Sequence, residues 1–166
     1  PHMLSQYISE QEKRQIQAEI DRLPDGSLPG YEHDGIPYGR VASFSVRWFF
    51  GWNHVEPDML LHFRQYLVLG RIMGVVAERL IERIRPTRIV ITNGLLTAER
   101  ILRVIAERHG VPYAATERGY LANTFQLAHN RASGLFIFHD TWEKFRDQPL
   151  SDAAREELLT YLHQRR

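Results

Sequence analysis

The segment 88–124, RIVITNGLLTAERILRVIAERHGVPYAATERGYLANT, constrains the fold of this chain more than any other stretch, because it spells strand, glycine turn, helix and strand in one run. Ile89, Val90 and Ile91 form a β-branched run too apolar for a one-sided strand, which predicts a central parallel strand covered on both faces. Asn93-Gly94 breaks it. From Thr97, a candidate cap, the apolar positions Ile101, Leu102, Val104 and Ile105 recur at helical spacing until Gly110 and Pro112 stop the helix. Val111 to Ala115 is a second short apolar run, ending in Thr116-Glu117-Arg118-Gly119. A right-handed crossover between the two strands brings Asn93-Gly94 and Glu117-Arg118 to one sheet edge. Open α/β sheets bind their ligands at such edges.

The surroundings of that unit are bounded by size and charge. A chain of 166 residues, 43% hydrophobic and 25% charged, supports one sizeable core, so a single α/β domain over residues 4–166 is expected, with Pro1-His2-Met3 reading as a cloning scar. A net charge of +1 gives no electrostatic case for nucleic acid, and the absence of cysteine excludes disulfides and thiolate metal sites. The histidines do not form a metal set, since none stands in an HExxH arrangement. Residues 59–84 are the longest apolar stretch, but His62, Arg64, Arg71, Glu78, Arg79 and Glu82 interrupt it and exclude an ordinary membrane span. A cytoplasmic setting, at or near the inner face of a membrane, fits these features.

Around the unit, residues 5–23 read as an amphipathic helix ended by Pro24-Asp25-Gly26, and 28–39 as a loop containing the compact run His33-Asp34-Gly35-Ile36-Pro37-Tyr38-Gly39. The stretch Arg47-Trp48-Phe49-Phe50-Gly51-Trp52 offers contact with a membrane or stacking on sugar rings, although the area each ring buries favours core packing for most of them. A long helix follows from Pro57 to Arg85 and is expected to lie buried against the sheet. Residues 120–133 read as loop with a hairpin arm, 135–138 as a third strand candidate closed by His139-Asp140, and 152–164 as a final helix capped by Ser151.

Several residues can carry chemistry. Asn93-Gly94 permits close backbone approach to a ligand and the helix start at Thr97 offers amide donors, while the same residues equally serve a plain strand-to-helix turn. Glu117 beside Arg118 and Gly119 places a proton acceptor next to an anion-holding guanidinium at a strand end; the bland reading is a surface ion pair. Asn123 and Thr124 could hydrogen-bond a polar ligand or be ordinary loop residues. His33-Asp34 is either an acid/base pair or turn chemistry. No GxGxxG, phosphate-loop lysine or G-x-S-x-G elbow is present, so no dinucleotide, nucleoside triphosphate or serine-hydrolase site can be read, and no cofactor is expected.

Asn93-Gly94, Glu99-Arg100, the exit from Ala106 to Pro112, Glu117-Arg118-Gly119 and Asn123-Thr124 resemble the pattern N-G-x-x-x-x-E-R, A-x-x-x-G-[IV]-P, E-x-G-x-x-x-N-T of bacterial GT-B-type glycosyltransferases and capsule polysaccharide biosynthesis proteins. The run Asp34-Gly35-Ile36-Pro37-Tyr38-Gly39 resembles their upstream D-G-[IV]-x-x-G stretch, so the likeness covers residues 34–130. The resemblance implies a Rossmann-like three-layer domain with a small, mostly parallel sheet and flanking helices. By the same resemblance the domain would be the amino-terminal, acceptor-side half of a two-domain enzyme, and this chain would be a fragment of it, inactive alone. It also implies that Glu117, with Asp34 second, is the base that activates an acceptor hydroxyl. Asn93, Gly94, Arg118, Gly119, Asn123 and Thr124 would then bind substrate. The partners would be a sugar or glycolipid acceptor and, through a second domain, a nucleotide-sugar donor. The competing readings are a non-catalytic α/β carbohydrate- or protein-binding domain and a small nucleotide-binding regulatory domain.

Overall fold

The computed structural model of the chain describes residues 4–119, 123–135 and 137–164. The chain divides into two compact units, 1–135 and 136–166.

The first unit begins with a 3-10 turn at Leu4–Gln6 and helix α1, Glu10–Asp21. Ser9 closes a capping box on α1: its hydroxyl accepts from the Glu12 amide at 3.2 Å while the Glu12 carboxylate accepts from the Ser9 amide at 2.8 Å. The far end of α1 is satisfied from another element, since Arg64 donates to the carbonyls of Ile20 and Leu23 at 2.5 and 2.8 Å. A 3-10 segment, Asp25–Gly30, leads to a two-residue turn closed by His33 and Ile36, and then to α2, Tyr38–Phe50. After the 3-10 turn Pro57–Met59 comes α3, Leu60–Ile84, the long helix the sequence foretells.

Helix α3 packs chiefly against helices α1 and α2 and against α4, Thr97–Arg108, and not chiefly against the sheet as its apolar girth suggests. The close approach is made possible by Gly74, where a Cβ would overlap the Tyr38 hydroxyl. Burial holds that hydroxyl neutral and pushes its pKa up to about 12. Beside it Arg71 is buried among Tyr31 and Tyr38, hydrogen-bonded to the Tyr31 hydroxyl and to Glu19 at 3.3 Å, with its guanidinium 5.6 Å from the Tyr38 ring centre. The core is one cluster running from Ile16 and Ile20 through Phe63 and Leu67 to Ile101, Ile105 and Tyr113.

The sheet is small and mixed. Strand β1, Ile89–Thr92, pairs in parallel with β2, Tyr113–Arg118, and β2 pairs antiparallel with β3, Phe125–His129. The parallel β1-α4-β2 unit and the hairpin arm match the sequence reading. The order β1-β2-β3 makes β1 an edge, however, and not the central, doubly covered strand its composition predicts. Its alternation shows why: Ile91 faces the core with Tyr113 and Ala115, while Val90 is 69% exposed, on the same side as the exposed Phe125 and Leu127. An apolar run does not reveal how many neighbours a strand has. The sheet is accordingly not mostly parallel, holding one parallel and one antiparallel pair.

The aromatic stretch also departs from expectation. Phe50 packs against the core, but Trp48, Phe49 and Trp52 are 66%, 60% and 52% exposed. The strand candidate 135–138 does not form among its described residues: Ser133–Leu135 is a 3-10 turn and 137–138 precede a helix, with Phe136 outside the described residues. Of the predicted loop 120–133, residues 120–122 also lie outside them. The second unit contains α5, His139–Phe145, and α6, Asp152–Gln164, which starts where Ser151 accepts from the Ala154 amide at 3.2 Å. Among the described residues no helix is long and apolar enough to cross a membrane.

Candidate functional site

The chain leaves β1 through two residues in the left-handed region, Asn93 at φ 59° and Gly94 at φ 81°, a conformation that asparagine tolerates and glycine adopts freely. Asn93 ties four segments together. Its amide donates to the Thr116 carbonyl at 2.6 Å, and its own carbonyl accepts from the Ser133 and Gly134 amides at 3.0 and 3.3 Å. Its side-chain oxygen accepts from the Leu95 amide at 3.0 Å, forming an Asx turn, and its carboxamide nitrogen donates to Glu117 Oε2. Gly134 lies directly over this carboxamide, since a Cβ there would stand 2.5 Å from Asn93 Nδ2. Arg103 holds the turn from below, donating to the Gly94 carbonyl at 2.9 Å and to the Tyr113 hydroxyl at 3.1 Å.

Glu117 is therefore a carboxylate fixed at both oxygens. Oε2 accepts from Asn93 and Oε1 from the Arg118 amide at 2.9 Å. It remains partly exposed, and carboxylate oxygens carry more than one acceptor direction each, so the group can still accept from a ligand hydroxyl. The neighbouring Arg118 is exposed, and it forms no ion pair with Glu117, against the bland expectation for adjacent opposite charges. Gly119, Asn123 and Thr124 flank the connection from β2 to β3. The Gly119 amide donates to the Thr124 carbonyl at 2.9 Å, the Thr124 hydroxyl occupies the space a Gly119 Cβ would need, and Asn123 sits at φ 60°.

Asn93, Gly94 and Glu117 are thus brought together, with Arg118 and Gly119 continuing from the same strand end. Asp34 is not. Its carbonyl accepts from Arg108, the last residue of α4, at 2.7 Å, whereas Asn93 and Gly94 precede the first turn of that helix. Twelve residues of helix at about 1.5 Å each put roughly 18 Å between the two ends. Asp34 and Glu117 thus stand toward opposite ends of α4. Thr97 is not the cap it resembles, because its amide and hydroxyl both bond the buried Ser45 Oγ at 2.8 Å, and Leu96 takes the cap position. That removes one amide from any anion-binding role at this helix start.

The sequence reading missed the Arg71, Tyr31, Glu19 and Tyr38 cluster, whose only local signal is an arginine in the middle of an apolar helix stretch flanked by Gly70 and Gly74. It also missed Ser133 and Gly134 as the lid over Asn93. A cleft of about 530 Å³ lined by Ile81, Glu82, Arg85, Pro86, His109 and Val111 lies near the carboxy-terminal end of α4, away from Glu117. Among the described residues, no group of three or more His, Asp or Glu side chains stands close enough to hold a metal ion. No family model, curated protein or solved structure matches this chain.

Proposed function

We propose that the strand-end site around Asn93 and Glu117 is the acceptor-side wall of a sugar-transfer cleft in cell-surface polysaccharide synthesis. In this reading Glu117 accepts the proton of a sugar or glycolipid hydroxyl. The hydroxyl oxygen then bonds to the anomeric carbon of the donor as the bond from that carbon to the nucleoside diphosphate breaks. The donor is held by a second Rossmann-like domain, and the present unit completes a three-layer arrangement when helices cover the Val90 face of its sheet. One observation carries the proposal: a carboxylate oriented by a carboxamide and a backbone amide at the carboxyl end of a parallel strand pair, the place where α/β sheets bind ligands.

Glu117→Gln in the complete enzyme is expected to leave stability within about 1 kcal/mol and to lower transfer by roughly 10²–10⁴-fold. Unaltered transfer by a variant of unchanged stability removes Glu117 from the role of base. A second reading, a non-catalytic carbohydrate- or protein-binding domain, is favoured by the fact that both Glu117 oxygens are already engaged within the fold. Normal transfer by an enzyme lacking this domain would support that reading. Calorimetric titration with nucleotide sugars and free nucleotides separates both from a nucleotide-binding regulatory domain, because only the last should bind them well in isolation.

A further inference from the structure

We propose that the cleft between the last turn of α2 and the first turns of α3 holds one neutral sugar ring, a remote residue of an oligosaccharide acceptor whose reacting hydroxyl lies at Glu117. The inference rests on the sugar-transfer reading and adds a substrate class to it, an acceptor longer than one sugar.

The cleft and Glu117 share one rim of the first unit. Ser45 Oγ bonds the Thr97 amide and hydroxyl at 2.8 Å at the start of α4, whereas the Asp34 carbonyl, ahead of α2, accepts from Arg108 at the end of α4. Helix α2 therefore runs antiparallel to α4, and its last turn stands at the end of α4 that the Asn93-Gly94 turn leads into. Phe49 lies one turn beyond Ser45, about 6 Å farther along the axis. Helix α3 passes the same level, since a Cβ on Gly70 would stand 3.2 Å from Thr97 Cγ2.

Two helices build the cleft. His62, Gln65, Tyr66 and Leu69 recur at spacings of three and four, which puts them on one side of α3, and with Phe49 of α2 they line a space of about 240 Å³. That is smaller than the roughly 300–1,000 Å³ of a site for a drug-sized ligand and suits a single six-membered ring. The His62 ring is fixed from two sides. It stacks on Phe49 with ring centres 6.2 Å apart and planes at 23°, and it meets Phe50 edge-on at 5.1 Å.

The donor set selects the occupant. His62 Nδ1 is buried without a hydrogen-bond partner, while Nε2 is not buried in this way. A buried N–H without an acceptor is costlier than an unused lone pair, so the ring proton sits on Nε2, where a ligand can accept from it. Gln65 adds a carboxamide and Tyr66 a hydroxyl, and none of the lining side chains carries a fixed charge. A phosphate or carboxylate would enter without a counter-ion, and a wholly apolar ligand would leave the polar groups unpaired. A pyranose satisfies both demands: its C–H face lies against Phe49, which is 60% exposed, and Leu69, and its hydroxyl groups exchange hydrogen bonds with His62, Gln65 and Tyr66.

Saturation-transfer NMR on the full chain, with the methyl β-pyranosides of glucose, galactose, mannose and N-acetylglucosamine as probes, tests the assignment. At least one should bind with a millimolar dissociation constant. Phe49→Ala should weaken that binding about tenfold. His62→Phe keeps a stacked ring and removes both nitrogens, so it should weaken binding about three- to tenfold while Tm does not fall, because the unpartnered Nδ1 goes with them. Glu117→Gln should leave binding unchanged. Failure of every probe to bind overturns the proposal, as does binding that Glu117→Gln abolishes and Phe49→Ala leaves intact. Unaltered transfer by Glu117→Gln, beside lost binding in Phe49→Ala, would remove the base and still support the cleft.

Discussion

Asp34-Gly35 and Asn93-Gly94 are the same kind of turn in two different places. Both pair an acid or amide with glycine, and both run through the left-handed region, at φ 50° and 70° in the first and 59° and 81° in the second. In the first, the carboxylate is 77% exposed and pairs with His33 at 3.1 Å, and a Cβ on Gly35 would stand 4.0 Å from the end of the Arg108 side chain. In the second, the carboxamide is bonded at both ends, and a Cβ on Gly94 would stand 3.0 Å from Arg103 Cδ and 3.3 Å from Ala132 Cα. The dipeptide sets the backbone in both. Only the tertiary neighbours make one of them part of a polar site.

The sharpest way to break this contrast is to add a methyl group to each. Gly134→Ala places its Cβ 2.5 Å from Asn93 Nδ2 and 2.9 Å from Leu95 Cδ1, so denaturant unfolding should show a loss of about 2–3 kcal/mol. Gly35→Ala meets only the end of the Arg108 side chain, at an ordinary contact distance of 4.0 Å, and should cost the left-handed backbone penalty, about 1–2 kcal/mol. Equal losses would mean that Asn93 is not held from above.

A smaller effect is expected from exchanging amide and acid. Asn93→Asp removes the donor to Glu117 and sets two carboxylates together, with an expected loss of about 2 kcal/mol at neutral pH. The repulsion requires both groups ionised, so part of the loss should return as pH falls and one of them takes a proton. Asp34→Asn, at the exposed turn, should stay within about 0.5 kcal/mol at any pH between 5 and 8. A pH-independent loss for Asn93→Asp would show that the carboxylates do not face each other.

The smallest effect supplies a control remote from both turns. Arg79 and the Ser9 cap hold the Glu12 carboxyl down at about 2, below its ordinary value of 4.5. A depressed folded-state value gives stability that is present above the unfolded pKa and lost as pH falls through the folded one. Acid titration of unfolding should therefore show a weakening between about 4.5 and 2 that Glu12→Gln flattens. Because the pair is exposed, its size should be modest and should shrink further with salt. A profile unchanged in the variant would assign the acid transition elsewhere.

These outcomes bear on how much was legible in the amino-acid order. The unit β1-α4-β2 was readable because each of its signals is local: a β-branched run, an Asn-Gly break, helical periodicity and a Gly-Pro stop. Its strand end was correctly located by the crossover rule, and with it the meeting of Asn93 and Glu117. Thr97 misled because Ser45, its hydroxyl partner, stands 52 positions earlier. The ring stretch misled because ring area argues for burial, whereas Trp48 and Phe49 stay more than half exposed in the last turn of α2 although they follow the buried Val41 and Ala42 by seven residues. Asp34, the second candidate, stands instead beside Arg108 at the far end of α4, because a motif resemblance preserves order along the chain and not distance across a helix.

By itself the sequence determined the backbone of β1-α4-β2, the first helix, the long helix and the last helix, and where glycine and asparagine let the chain reverse, but it marked neither α2 nor α5 and expected a strand at 135–138. Those choices rest on torsional preferences and apolar spacing within a few residues. The tertiary structure alone decided that β1 is an edge, that α3 packs on helices, that Gly134 covers Asn93, and that Asp34 and Glu117 lie at opposite ends of α4. Those facts depend on contacts between residues tens of positions apart, and no local preference encodes which partner arrives.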